Sequence, residues 1–127
     1  MALVFHSRWE NRFANWLNSS AEFAAGARWF DGSVLFAIGE RNLWLKIYDG
    51  RVIDFKTHPS PLGFTLKLSA STETWRALVE EGRNEILAYT GAKKILAEGN
   101  LLEFMRLTKM VIALVDGLRA VLVRTSD

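Results

Sequence analysis

The sequence contains no cysteine. Disulfides, thiolate metal sites and cysteine nucleophiles are therefore excluded, and the chain fits a reducing compartment. It has only two prolines and two histidines. His6 and His58 lie far apart, so clustered imidazole ligation of a metal is not expected. Long apolar runs are missing as well. The most apolar stretch, 110–123, is broken by Asp116 and Arg119 and is too short and too charged to cross a bilayer. The first ten residues, MALVFHSRWE, lack the basic and apolar regions of a signal peptide. No basic run exceeds Lys93-Lys94, which argues against a nucleic-acid or membrane patch. There is no Gly-rich phosphate loop, and there are no repeats, linkers or low-complexity segments. These absences point to a cytoplasmic protein with no metal, no cofactor, no nucleic-acid partner and no transmembrane segment.

What is present is apolar. Half of the 127 residues are hydrophobic, including five Trp and eight Phe. The length suits one domain, residues 1–127, able to bury a core without staples. Lys plus Arg is 16 and Asp plus Glu is 14, interspersed, for a net charge of +2. So rich an aromatic content suggests an interior that holds something besides itself.

Local patterns give an order of elements. Ser7 with Glu10 has the spacing of a capping box. It opens a helix with Trp9, Phe13, Trp16, Leu17, Ser20 and Ala24 on one side, ending near Gly26. Residues 33–39 are apolar on both faces, which predicts a central strand covered twice. Residues 42–48 and 51–57 form strands joined by Asp49-Gly50, a strong hairpin signal. The stretch His58-Pro59-Ser60-Pro61-Leu62-Gly63 is a loop. Residues 64–69 alternate, with Phe64, Leu66 and Leu68 inward. A helix follows with Trp75, Leu78 and Val79 on its apolar face, then a short helix over 84–90. Residues 94–98 are the last strand. Asn100 with Glu103 caps a final helix reaching about Leu122. The order is α-ββββ-αα-β-α, an α+β class.

The final helix carries excess apolar surface. Phe104, Leu107, Val111, Leu114, Leu118 and Leu122 make one core stripe. Leu101, Met105, Thr108 and Ile112 make a second, about a quarter-turn away, and Leu102 and Met110 lie outside both. The second stripe can enter the core, meet a partner chain, or line a ligand cavity.

Three segments resemble the sterol carrier protein 2 family: 43–52 with its Asp49-Gly50 turn; Phe64 through Trp75-Arg76-Ala77-Leu78 to Gly82; and Lys94-Ile95-Leu96-Ala97-Glu98-Gly99-Asn100 with the apolar helix after it. Arg83 stands where the family usually has Lys, and Tyr89 where it often has Phe. The resemblance implies a five-stranded mixed sheet covered by helices, with a hydrophobic tunnel between them. It also implies a carrier of fatty acid, acyl-CoA, sterol-like or other lipid metabolite, without catalytic residues. Because the chain starts at Met1 and leaves no room for a catalytic domain, a standalone member is expected. Matching the family's fourth strand, central helix and final helix, the ligand-binding residues would be Phe64, Leu66, Trp75, Leu78, Tyr89, Leu101, Leu102, Met105 and Met110. Arg83, Lys93 or Lys94 would meet a polar head at the mouth, unless they are plain solvated charges.

The residues also allow two alternatives. One is a small isomerase, cyclase or dehydratase with an apolar cavity and a buried Asp54 as general base. The other is a dimerisation or accessory module whose final helix forms a homodimer. The local trio Asp54, His58 and Ser60 reads as a polar turn rather than a triad.

Overall fold

The structure, a computed structural model, describes residues 3–122. In chain order the elements are α1 (Trp9–Asn18), α2 (Ala21–Gly26), β1 (Asp31–Ile38), β2 (Arg41–Tyr48), β3 (Arg51–Lys56) and β4 (Leu66–Ala70). Then come α3 (Thr72–Glu80), α4 (Ile86–Gly91), β5 (Leu96–Gly99), α5 (Leu101–Arg106) and α6 (Thr108–Val121). The expected order holds, with the first and last helices each divided in two.

The five strands form one mixed sheet in the order β3-β2-β1-β4-β5. β1 is central: it runs antiparallel to β2 and parallel to β4. β3 and β5 close the two edges in antiparallel register. The β2–β3 hairpin turns on Asp49 (φ 49°) and Gly50 (φ 81°). Positive φ at both positions is what a type I′ turn requires, so the Asp-Gly signal marked it correctly.

Alternation along the strands sorts the two faces. Val34, Phe36 and Ile38 of β1 join Leu43, Leu45 and Ile47 of β2 and Leu66 and Leu68 of β4 on one face. Helices cover that face with Phe13, Leu17, Phe23, Leu114 and Leu118. Leu35 and Trp44, paired across β1 and β2, are buried on the other face. The proline loop after β3 reaches this face at Trp44 and Ser33. The Trp44 indole N–H and the Ser33 hydroxyl both donate to the Gly63 carbonyl, at 3.0 and 3.5 Å. Thus β1 is covered twice, as its two apolar faces predict.

Five local expectations fail for identifiable reasons. The Ser7–Glu10 capping box does not form. Arg8 adopts a left-handed conformation and α1 starts at Trp9, whose N–H bonds the His6 carbonyl at 3.0 Å. That start sets the Trp9 ring edge-on to Phe5 at 5.2 Å. The first helix stops at Asn18 because its amide pairs with the edge of the sheet. It donates to the Val52 carbonyl at 3.0 Å and accepts from the Val52 N–H at 2.8 Å, in the manner of another strand. Ser20 then caps α2 through the Phe23 N–H.

The fourth strand begins at Leu66, not Phe64, which is exposed. The last strand begins at Leu96, not Lys94, because the N–H groups of Lys94 and Ile95 both turn back to the Tyr89 carbonyl at the end of α4. The final helix is capped as expected, Asn100 Oδ1 accepting from Glu103 N–H at 3.0 Å. It then breaks at Leu107 (φ −107°, ψ 26°). Beyond the break, α6 packs backbone to backbone on α2: a Cβ on Gly26 would stand 2.8 Å from Met110 N. The break lets α6 take that close approach while α5 stays at the end of the sheet.

Candidate functional site

The nine residues expected to line a ligand divide into two groups. Leu66, Trp75, Leu78, Tyr89 and Met110 are buried. Phe64, Leu101, Leu102 and Met105 are exposed.

The buried group is firmly tied into the core. Trp75 is fully buried on α3 and its indole N–H donates to the Ala37 carbonyl at 2.9 Å. Its ring ends an aromatic chain through the interior, Phe5–Trp9–Phe13–Phe36–Trp75, with centroid spacings of 5.2, 6.4, 5.8 and 6.0 Å. The surplus of aromatics is therefore spent largely on the core itself. Tyr89 is buried on α4, with its hydroxyl donating to Glu81 Oε2 at 2.8 Å. The Lys94 ammonium lies 4.9 Å over its ring.

Desolvation first, then the hydrogen bond to the Glu81 carboxylate, pushes the Tyr89 phenol up to about 12 from its ordinary 10.0. The folded pKa exceeds the unfolded one, so folding favours the neutral phenol. Its contribution to stability is complete below pH 10 and is lost as the pH rises through 10 towards 12. The expected result is a gap between the urea midpoints of wild type and Tyr89→Phe that changes between pH 8 and pH 11. Parallel behaviour of the two proteins would contradict it.

The exposed group gathers at one end of the sheet. The α5 helix buries none of its residues. At 100° per residue, Leu101, Met105 and Leu102 share its outward side, and all three are exposed. Thus the second stripe divides at the break: Leu101 and Met105 face out, while Thr108 and Ile112 are half-buried. Leu102 is exposed and Met110 fully buried. The first stripe keeps its expected place, with Leu107, Val111, Leu114, Leu118 and Leu122 buried and Phe104 half-buried against the core.

Beside α5 lies an open cleft of about 360 Å³. Trp29, Phe30 and Asp31 form one wall, Asn100, Glu103, Arg106 and Leu107 the other, with Thr65 between them. Thr65 ties the walls together: its carbonyl accepts from Asn100 N–H at 2.9 Å and its hydroxyl oxygen accepts from Ser33 N–H at 3.1 Å. Each lining carboxylate holds a cation, Glu103 with Arg106 at 2.6 Å and Asp31 with Lys46 at 3.0 Å. Sequence patterns did not bring these residues forward. Asn100 and Glu103 stand out only as a cap pair, and Trp29 carries no periodic signal.

The basic residues expected at a mouth lie elsewhere. Arg83 pairs with Glu85 at 2.8 Å, a contact that raises its pKa, and Lys94 sits over Tyr89. Neither they nor Lys93 line the cleft. Asp54 is exposed and pairs with Lys56 at 3.5 Å, so the burial that a general base would need there is not present. Ser60 Oγ accepts from Leu62 N–H and His58 Nδ1 approaches the Pro59 carbonyl; neither engages Asp54. Among the described residues no group of three or more His, Asp or Glu is placed to hold a metal, and no helix is long and apolar enough to cross a membrane.

No protein-family model matches the chain, and no curated protein matches it. Solved structures do. A crystal structure of sterol carrier protein 2 superposes with a TM-score of 0.80 at 19% identity, covering 93% of this chain and 98% of that one. The protein TT1886 of Thermus thermophilus gives 0.77 at 20% identity, covering 97% and 92%. UbiJ-SCP2, titled a ubiquinone synthesis protein, gives 0.58 at 14% identity, covering 84% and 89%. The order β3-β2-β1-β4-β5, with helices over one face, is thus the sterol carrier protein 2 fold that the three sequence segments resemble.

Proposed function

We propose that this chain, as one cytoplasmic domain over residues 1–127, binds a hydrophobic small molecule at the α5 end of its sheet and carries it unchanged. The observation that supports this reading most is the apolar face of α5. Leu101, Leu102 and Met105, with Phe64 nearby in the chain before Thr65, remain in water. Each such side chain is worth about 1.5–3 kcal/mol when buried, so an occupant that covers them is favoured. A six-residue helix has little stability of its own. Between its Asn100 cap and the break at Leu107, α5 is built to shift and admit a ligand above Leu66 and Met110. Trp75, Leu78 and Tyr89 complete the proposed lining from the core side.

Affinity comes from methylenes leaving water at about 0.8 kcal/mol each, less several kcal/mol for association. A chain of about ten carbons then binds usefully. The structural neighbours include a protein named for sterol carriage, which favours a lipid over another apolar ligand. No catalytic step is assigned.

Displacement of a fluorescent fatty acid tests the reading. The expected result is saturable binding that weakens about tenfold or more in Met105→Glu, since a charge replaces an apolar contact. Absence of saturable binding overturns the proposal. Light scattering separates the homodimer reading: there Met105→Glu halves the mass while leaving ligand affinity unchanged.

A further inference from the structure

We infer that Met105 is a reversible oxidation site, at which a peroxide turns the thioether into a sulfoxide and thereby loosens the hold on an apolar ligand. This rests on the lipid-binding reading above and adds a control to it.

Sulfur chemistry is the first reason. The chain has no cysteine, the side chain whose thiolate ordinarily meets a peroxide first. All of its sulfur is in thioethers. Folding treats the two methionines among the described residues oppositely. Met110 is fully buried where α6 packs on α2. Met105 has 73% of its surface in water. A peroxide therefore reaches the second sulfur and not the first, because oxidation follows exposure.

The reaction needs only the peroxide. A sulfur lone pair attacks one peroxide oxygen, the O–O bond breaks and an S–O bond forms. The other oxygen leaves with the protons as water. Sulfur is oxidised and the peroxide reduced, by one electron pair. Reversal needs a dithiol, which closes to a disulfide while the sulfoxide oxygen leaves as water. Having no cysteine, this chain depends on a separate thiol-dependent reductase for that step.

Position is the second reason. Met105 shares the outward side of α5 with Leu101 and Leu102, the apolar face offered to a ligand. A sulfoxide places a polar, chiral group in that face, and covering it with a hydrocarbon tail leaves its oxygen without a donor. The helix buries none of its residues, so its grip on a tail depends on that face alone.

The test treats the whole protein with hydrogen peroxide, locates the added oxygen by peptide mass spectrometry, and titrates with the same fluorescent fatty acid. Each protein is compared with its own untreated sample. Met105 should be oxidised at least about tenfold faster than Met110. The oxidised protein should bind the probe about tenfold more weakly, and methionine sulfoxide reductases for both epimers, with dithiothreitol, should reverse the loss. In Met105→Leu, peroxide should change the affinity by less than about twofold. Saturation with the probe beforehand should slow oxidation of Met105 by about threefold or more, because the ligand covers the sulfur. Equal rates at Met105 and Met110, an affinity unmoved by full conversion of Met105, an equal loss in Met105→Leu, or oxidation unslowed by bound probe overturns this inference while leaving lipid binding intact. Failure of the untreated protein to bind the probe overturns both.

Discussion

Trp75→Ala is expected to lower the free energy of unfolding by about 3–5 kcal/mol, the range for deleting a large aromatic from a packed core. That is a large part of the roughly 5–15 kcal/mol that holds a domain together. Two losses combine. The fully buried ring leaves a void against Phe36, whose centroid is 6.0 Å away. The Ala37 carbonyl also loses the indole donor at 2.9 Å. Trp75→Phe separates them, since it keeps much of the apolar volume and removes only the N–H. It should cost about 1–3 kcal/mol, the penalty for a buried acceptor left without its partner together with some lost packing. Urea denaturation measures both variants, with an unchanged slope showing that the unfolded states are comparable. A loss below about 1 kcal/mol in Trp75→Ala would mean that the ring borders open space. Trp75 would then stand on open space before any ligand arrives, and the division of the nine lining residues into buried and exposed would have to be redrawn.

That division marks the limit of what the residues disclose in advance. Alternation in 33–48 and the Asp49-Gly50 turn are local signals, and the central strand and its hairpin follow from them directly. The order of the strands does not, because pairing β1 with β4 depends on contacts across some thirty residues. The family resemblance supplied a five-stranded mixed sheet but not the order of its strands. The helix breaks are likewise tertiary. Nothing near Asn18 announces that its amide will pair with Val52, 34 residues away. Nor does the stripe of the final helix reveal the close approach of Gly26 to Met110 that accompanies its break.

For the site, apolarity alone cannot separate a wall from a core. Trp75 and Met105 look equally suited to a ligand in the sequence, yet one anchors a carbonyl at the centre and the other stands in water. The cleft was hidden for a different reason. Trp29, Thr65, Asn100 and Arg106 come from three separate parts of the chain, and polar residues brought together by folding leave no periodic trace.

Gly99→Ala is expected to be the other severe substitution, costing about 2–4 kcal/mol and weakening ligand binding as well. Gly99 ends β5 at φ 105°, a conformation that side chains other than hydrogen rarely adopt. An added Cβ would also stand 2.3 Å from the Thr65 carbonyl oxygen. That oxygen belongs to the backbone and is already fixed by Asn100 N–H at 2.9 Å, so it has no flexible end to swing away. Relief therefore requires β5 to part from the start of β4, which frees Asn100 and with it the cap of α5. Gly91→Ala is the control. Its surroundings are open and its backbone carries no positive φ. At the end of α4 it should shift stability by less than about 1 kcal/mol, towards greater stability, by the helix preference of alanine. Urea denaturation of the two variants, with fluorescent fatty acid titration under conditions where each stays folded, checks the pair. If Gly99→Ala proves as mild as Gly91→Ala, β4 and β5 are not held together at Thr65. If it destabilises the fold but leaves ligand affinity untouched, the ligand does not depend on the placement of α5, and the proposed entry beneath that helix fails.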